Sequence, residues 1–161
     1  MNVGRDSPGT PAAVHNRPQF VHTTRADASG ARRTRIEFAA WLQQRFSLDS
    51  GRLSDLVLAV NEALANAAEF AYLDTPDQGT ITCSASFDDD VDTLDVTVSD
   101  HGRWRPTLTA TAPVQYALRG RGIPLMRALA DQTRIDTSER GTQVRLTWAN
   151  LLAPREAAAP G

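Results

Sequence analysis

A carboxylate and an amide lie four residues apart in the apolar segment LVLAVNEALANAAEFAY, which runs from Leu56 to Tyr72. Four residues are about one turn of an α-helix, so Glu62 and Asn66 would lie on one helix face. A different face would carry the apolar residues that recur at spacings of three and four: Leu53, Leu56, Val57, Val60 and Leu64. The neighbours of the polar pair are also apolar, so we expect the pair to be largely buried. Buried polar groups need partners, and the spacing therefore predicts a face that binds a ligand.

Glycines mark two strand ends that could approach the same ligand. Gly102 follows a predicted strand that ends in Asp100, and Gly141 opens the last predicted strand in the pair Gly141–Thr142. Glycine at such a junction permits positive φ and a close approach of the backbone to a bound molecule. Both strand ends are therefore candidate parts of a binding site.

The segment RGRGIPLM predicts a binding site for an anion. Gly120 and Gly122 precede a helix that begins near Ile123, so the free N–H groups of its first turn would point at whatever lies over the two glycines. Arg119 and Arg121 add positive charge at the same place.

Three helices would position these residues. Apolar periodicity predicts the first from about Ala28 to Phe46, with Trp41 at the edge of its inward stripe: Ala31, Phe38, Ala39, Leu42 and Phe46. The turn at residues 49–51 offers an N-cap for the second helix, from Leu53 to Tyr72. A short third helix is predicted from Ile123 to Asp131, with proline in its first turn.

Alternation with a period of two predicts the strands. The segments TITCSASF and TLDVTVSD alternate and are joined by the charged turn DDDVD, as in an antiparallel hairpin, and GTQVRLTW alternates near the end of the chain. Phe20–Thr24 is a further short strand. The inward positions are Ile81, Cys83, Ala85, Phe87, Leu94, Val96, Val98, Val144, Leu146 and Trp148. The predicted fold is an α+β two-layer sandwich, with helices on one face of a mixed, mainly antiparallel sheet.

Length and composition limit the class of protein. A chain of 161 residues suits one domain, which we place at residues 19–150, between a disordered arm over 1–18 and a flexible tail over 151–161. No apolar run reaches the roughly 18 residues that a membrane span needs, and the N-terminus lacks a secretory signal. We expect a cytoplasmic protein that neither crosses nor binds a membrane. A net charge of −2 argues against nucleic acid as the main partner.

The order of these motifs resembles the Bergerat-fold ATPases, the group that contains gyrase, histidine kinases and the mismatch-repair ATPases. Within it, the sequence is most similar to the small anti-sigma factor serine kinases of bacteria, in their actinobacterial form. The N box corresponds to EALAN (Glu62 to Asn66), and the three glycine boxes to DHG (Asp100 to Gly102), RGRGIPLM (Arg119 to Met126) and GT (Gly141 and Thr142).

The resemblance implies ATP and Mg²⁺ as ligands. Asn66 would give its carbonyl oxygen to Mg²⁺, a hard cation that prefers oxygen ligands, and Glu62 would deprotonate the attacking hydroxyl. Asp100 would accept a hydrogen bond from the adenine amine, with Thr142 nearby. The glycines would admit the adenine at Gly102 and the phosphates at Gly120 and Gly122. The implied contact set is completed by Arg119, Arg121, Ile123 and Gly141.

Three features depart from the pattern or extend it. Phe70 stands where many family members have histidine, and Trp104 stands where other branches have glycine. The segment from His101 to Arg121 is long and poor in apolar residues, which is typical of a lid that a nucleotide orders.

The resemblance implies an ATP-dependent protein serine/threonine kinase that phosphorylates an anti-sigma factor antagonist of the STAS type and holds a sigma factor. Relatives of this kind usually form homodimers. The alternative is a nucleotide-dependent binding module of the same fold without significant kinase activity. The catalytic domain of a two-component histidine kinase is not expected, because the helix before the N box contains no histidine. A clamp ATPase would need a further transducer domain.

Overall fold

The computed structural model describes residues 19–71, 79–102 and 122–152, except for the side chain of Phe70. The predicted N-terminal arm, most of the predicted tail and nearly all of the predicted lid lie outside these ranges. In chain order, the elements are β1 (Phe20–Arg25), α1 (Ala28–Arg45), α2 (Ser50–Phe70), β2 (Thr80–Asp88), β3 (Thr93–Asp100), α3 (Gly122–Leu129), β4 (Gln132–Ser138) and β5 (Gly141–Ala149).

The strands form one five-stranded sheet in the order β1-β2-β3-β5-β4. Every pairing among the described strands is antiparallel. The predicted α+β two-layer architecture is therefore confirmed, with a sheet that is antiparallel throughout its described part. Within this part, no helix has both the length and the apolar character needed to cross a membrane.

Strand β4 was not among the predicted strands. It is an edge strand, and most of its residues are exposed because only β5 pairs with it. Ile135 is its only large apolar residue, so the segment QTRIDTS shows no apolar alternation. An edge strand with a single large apolar residue lacks the pattern that identifies a strand from sequence.

The helices pack on one face of the sheet and enclose the core. All the inward strand positions predicted from alternation are buried, from Ile81 to Trp148.

One of them, Cys83, is the only cysteine of the chain. Burial raises the pKa of its thiol to about 12, so it is protonated at neutral pH, as expected of a small core residue. In α1, Ala39 is half-buried rather than fully inward, and Trp41 lies at the edge as predicted.

The opposite face of the sheet is polar. Arg145 and Asp95 form a bidentate ion pair across β5 and β3, with the shorter contact at 2.8 Å from Nη2 to Oδ2. Burial raises the pKa of Asp95, but hydrogen bonds from Arg145 and Thr147 lower it by more, so the pKa lies below its ordinary value. This face has the composition of a solvated sheet surface.

Both long helices begin at an aspartate cap. Asp27 accepts a hydrogen bond from the Gly30 N–H at 2.7 Å, and Asp49 accepts one from the Arg52 N–H at 2.8 Å. These bonds satisfy donors that the first helical turn leaves without partners. The cap predicted within residues 49–51 is therefore Asp49, and it fixes where α2 starts.

Replacing Asp49 by alanine should destabilise the protein. The Arg52 N–H would lose its acceptor, and the loss of an N-cap costs about 1 kcal/mol. We expect Asp49→Ala to lower the free energy of unfolding by this amount in urea titrations followed by circular dichroism. Asp49→Ser is the matched control, because serine caps nearly as well and should recover most of the loss. Equal stability of Asp49→Ala and the wild type would contradict the capping role.

Candidate functional site

The C-terminal half of α2 carries the polar pair predicted from the sequence. Asn66 is only 7% exposed and Glu62 is half-buried. The sheet-facing positions of α2 are apolar and include Leu56, Val60 and Leu64, all fully buried. The predicted core face of α2 is therefore confirmed at Leu56, Val60 and Leu64, whereas Leu53 and Val57, which were also predicted to face inward, are only half-buried.

Helix α3 begins directly against this pair. A Cβ atom placed on Gly122 would lie 3.1 Å from Glu62 Oε2 and 3.3 Å from Asn66 Nδ2. Gly122 therefore lies close to both side chains and leaves little room for a side chain of its own, and the N-terminus of α3 opens beside them. The partial positive charge of a helix N-terminus favours anions. Ile123 follows in the first turn and is half-buried.

A second group of residues lies at the end of β3. Asp100 is 4% exposed, and its Oδ1 accepts a hydrogen bond from the Gly102 N–H at 3.0 Å. Thr142 of β5 is directly opposite Asp100 in the sheet register and is 3% exposed. Thr142 Oγ1 is buried and has no hydrogen-bond partner within the described ranges. A carboxylate and a hydroxyl are therefore held side by side, and the hydroxyl has hydrogen-bonding capacity that no described residue uses.

Two glycines make this arrangement possible. A Cβ atom on Gly102 would lie 1.7 Å from the carbonyl oxygen of Ala71, which is the C-cap residue of α2. Gly141 has a φ of +134°, and a Cβ there would lie 1.9 Å from the carbonyl oxygen of Asp100. No side chain fits at either place, so both positions require glycine.

The contact between Gly102 and Ala71 brings the two groups together. It holds the segment after β3 against the end of α2, five residues beyond Asn66. The start of α3, the strand end with Asp100 and the polar face of α2 therefore belong to the same region of the molecule. The predicted residues Arg119, Gly120 and Arg121 lie outside the described ranges, as does Trp104.

The side chain of Asn66 could bind a cation that takes one oxygen ligand from the protein and further oxygens from phosphate. Among the described residues, no hydrogen bond involves the Asn66 side chain, although it is buried. No cluster of three or more His, Cys, Asp or Glu in this part of the chain could hold a metal ion. A divalent cation at Asn66 would take the amide oxygen as one ligand, and Mg²⁺ commonly completes its shell with phosphate oxygens and water.

The hairpin between β4 and β5 was not predicted from the sequence. Ser138 and Arg140 line a cavity of about 300 Å³ together with Asp100, Gly141 and Thr142. Ser138 Oγ accepts a hydrogen bond from the Arg140 N–H at 3.1 Å, which orders the turn. These residues escaped notice because β4 was not predicted. The polar turn SERGT before an alternating strand is the signal that could have identified them.

A glycine-lined site between one helix and one sheet end, with a few convergent polar groups, is typical of domains that bind a small molecule or cofactor. The chain belongs to one family of that class, the histidine kinase-like ATPase domain, whose family model matches residues 24–148. The resemblance stated from the sequence is thereby confirmed, and the family implies ATP as the nucleotide.

Two solved structures give the comparison in three dimensions. The chain is similar to the crystal structure of the RsbU and RsbW domains of Rv1364c from Mycobacterium tuberculosis, with 25% identity and a TM-score of 0.61 over 81% of this chain and 32% of that one. It is also similar in fold to the blue-light activated histidine kinase EL346 from Erythrobacter litoralis, with 21% identity and a TM-score of 0.51 over 66% of this chain and 33% of that one. The chain spans about a third of each of these proteins.

Proposed function

We propose that this chain is an ATP- and Mg²⁺-dependent protein serine/threonine kinase of the anti-sigma factor type. It would phosphorylate a STAS-type anti-sigma factor antagonist, sequester a sigma factor and act as a homodimer in the cytoplasm. The observation that carries the proposal is the position of Glu62 and Asn66 beside Gly122 at the start of α3. The similarity to a structure with an RsbW domain supports the choice of partners.

The proposed chemistry assigns one task to each part of the site. Asp100 accepts a hydrogen bond from the exocyclic amine of adenine, and the Thr142 hydroxyl contacts the same base. The first N–H groups of α3 at Gly122, together with Gly120 and the arginines beside it, bind the phosphates. Asn66 supplies one oxygen ligand to Mg²⁺, which when bound neutralises charge on the phosphate oxygens.

Glu62 would act on the attacking hydroxyl. Its carboxylate accepts the proton of a serine or threonine O–H of the partner as the hydroxyl oxygen forms a bond to the γ-phosphorus and the bond to ADP breaks. The position of Glu62 Oε2 beside Gly122 supports this role, because a base must lie within hydrogen-bond reach of the group it deprotonates.

The proposal is tested by incubating the purified chain with ATP labelled with ³²P at the γ-phosphate, Mg²⁺ and a STAS-domain antagonist protein. We expect label on one serine or threonine of the antagonist, and none in the absence of Mg²⁺. Tight ATP binding without label on the antagonist would instead support the alternative, a nucleotide-dependent binding module.

Asn66→Ala should abolish the contribution of Mg²⁺ to ATP binding. The variant loses the one protein oxygen assigned to the cation, so we expect ATP affinity in Mg²⁺ to fall roughly tenfold, which corresponds to about 1.4 kcal/mol. Titration calorimetry with and without EDTA measures the effect. Asn61→Ala is the matched control, because Asn61 lies on the same helix but lines another surface, and it should bind ATP normally. An Asn66→Ala variant that is unfolded by circular dichroism would assign Asn66 a structural role instead.

A further inference from the structure

Helices α1 and α2 leave a groove between them that opens to solvent. It consists of two adjacent cavities of about 470 and 340 Å³ that share Arg35 and Asn61. We call it the helix groove. The residues that line it are exposed or half-buried, with the exception of Ala31. It therefore lies on the outside of the helical layer and is separate from the nucleotide site.

The floor of the helix groove is suited to another helix. Small side chains line much of its length, including Ala28 and Ala39 of α1 and Ala65 and Ala68 of α2. Small residues at helix surfaces allow close approach of a neighbouring helix. Leu58 provides an apolar contact and is 41% exposed. From residue 28 to residue 39 the groove is roughly 17 Å long, about three helical turns.

One wall of the helix groove is positively charged. Arg32 and Arg35 line it, and neither forms an ion pair with any residue in the described ranges. Helix α1 as a whole carries four arginines and one glutamate, whereas the complete chain has a net charge of −2. Among the described residues, the only acidic one that lines the groove is Glu69, at its far end, and Glu69 already has a partner. The positive charge is therefore local to α1.

We propose that the helix groove binds an acidic amphipathic α-helix of a partner protein. Glutamate or aspartate on that helix would pair with Arg32 and Arg35, and its small or apolar residues would pack on the alanines and Leu58 at helical spacing. This is the general mode in which a helix docks into an apolar groove through residues at i, i+3, i+4 and i+7. Asn61 is half-buried at the middle of the groove and lacks a hydrogen-bond partner in the described structure, so it would bind a polar group of the incoming helix.

Shape and charge argue against two other occupants. A second copy of this chain on a two-fold axis would place the same surface on both sides of the interface, so the described lining would bring together four arginines and only two glutamates. A bilayer surface is flat and cannot reach the floor of a concave groove. A helix with acidic flanks would neutralise the positive charge of the wall and fit the concave floor.

The groove and the nucleotide site share α2. Asn61 and Ala65 line the groove, and Glu62 and Asn66 are the next residues along the chain, about 100° further around the helix. A partner in the groove would therefore lie against the helix that carries the proposed base. The groove proposal does not depend on kinase activity, because its evidence is the charge and shape of α1 and α2.

The test uses two helical peptides of about 16 residues, long enough to span the groove. Both present alanine and leucine on one face; one carries flanking glutamates and the other carries glutamines at the same positions. With the ¹⁵N-labelled full chain, we expect the acidic peptide to shift resonances of α1 and of the groove-lining residues of α2. We also expect it to bind roughly tenfold more tightly than the glutamine peptide, since two exposed ion pairs together contribute on this scale.

Charge reversal provides the decisive variants. Arg32→Glu combined with Arg35→Glu should weaken binding of the acidic peptide at least tenfold, whereas Arg33→Glu makes the same change on the same helix outside the groove and should leave affinity within about twofold. The milder double variant Arg32→Gln with Arg35→Gln should also bind the acidic peptide more weakly than the wild type does. Unchanged ATP affinity shows that each variant is folded.

Several results would overturn the proposal. One is the absence of saturable binding of the acidic peptide up to about 1 mM, the weak limit of useful affinity. Another is an equal loss of affinity for the acidic peptide in Arg33→Glu and in the variant that combines Arg32→Glu with Arg35→Glu. Self-association of the peptide-free chain that the double reversal abolishes would assign the groove to a second copy, and binding to phosphatidylserine vesicles that the same reversal abolishes would assign it to a membrane.

Discussion

Glu62→Gln should remove phosphoryl transfer to the antagonist while ATP still binds. Glutamine has the size of glutamate and keeps a polar group beside Gly122, but its amide cannot accept the proton of the attacking hydroxyl. General base catalysis contributes about 10²- to 10⁴-fold to a rate, so we expect the rate of single-turnover transfer to fall by that factor. The affinity for ATP should change little, because the proposed contacts to adenine and phosphate lie elsewhere.

A matched variant separates this role from a general effect of charge. Asp55→Asn removes a half-buried carboxylate from the same helix about two turns earlier, away from the nucleotide site. It should retain transfer. Rapid-quench measurements at saturating ATP and antagonist compare the three proteins. Transfer by Glu62→Gln at the wild-type rate would exclude Glu62 as the base, even if the chain proves to be a kinase.

Sequence periodicity predicted α2 and the central strands because burial imposes the pattern directly. In β2 and β3, every second side chain faces the helices, and the apolar residues follow that alternation without exception. In α2, Leu56, Val60 and Leu64 recur at four-residue spacing because one face packs on the sheet. Where burial is slight, as in β4, the sequence is free of this constraint and the strand could not be identified.

The candidate site was predictable for a different reason. Glycines and buried polar residues are costly where no function or backbone geometry requires them. Gly102 and Gly141 illustrate this, since a side chain at either position would overlap a carbonyl oxygen. The residues against which these glycines pack could not be predicted, however. Nothing in the sequence indicates that Gly102 packs on Ala71, because that contact depends on how the end of α2 meets the sheet.

The helix groove lay beyond prediction for the same reason. In the sequence of α1 alone, Arg32 and Arg35 are ordinary polar residues of a helix. They form one wall of a concave surface only because α2 lies beside α1 and presents Asn61 and Ala65 to the same space. Surfaces that recognise partners arise from pairs of elements, so single-helix patterns do not reveal them.

Asp100→Asn should weaken ATP binding roughly 10- to 150-fold, or by about 1.5–3 kcal/mol. Asp100 is almost fully buried, so water cannot replace a lost hydrogen bond to the adenine amine. The Gly102 N–H needs an acceptor, and one oxygen of the wild-type carboxylate supplies it. An asparagine side chain has a single oxygen. If that oxygen accepts from Gly102, the amide N–H₂ group faces the adenine amine, and two donors meet.

Asp100→Asn should also change the preference of the site for the base. Inosine triphosphate has a carbonyl oxygen where adenine has its amine, and the side-chain amide that Asp100→Asn introduces would donate to it. We therefore expect Asp100→Asn to bind ATP more weakly, whereas its affinity for inosine triphosphate should fall less or even rise. A site that is merely unfolded or distorted would lose affinity for both nucleotides. Titration calorimetry with the two nucleotides measures the ratio of affinities. Asp95→Asn, on the outer face of the same strand, is the control and should bind ATP as the wild type does. An unchanged ratio of the two affinities in Asp100→Asn would show that Asp100 does not contact the base.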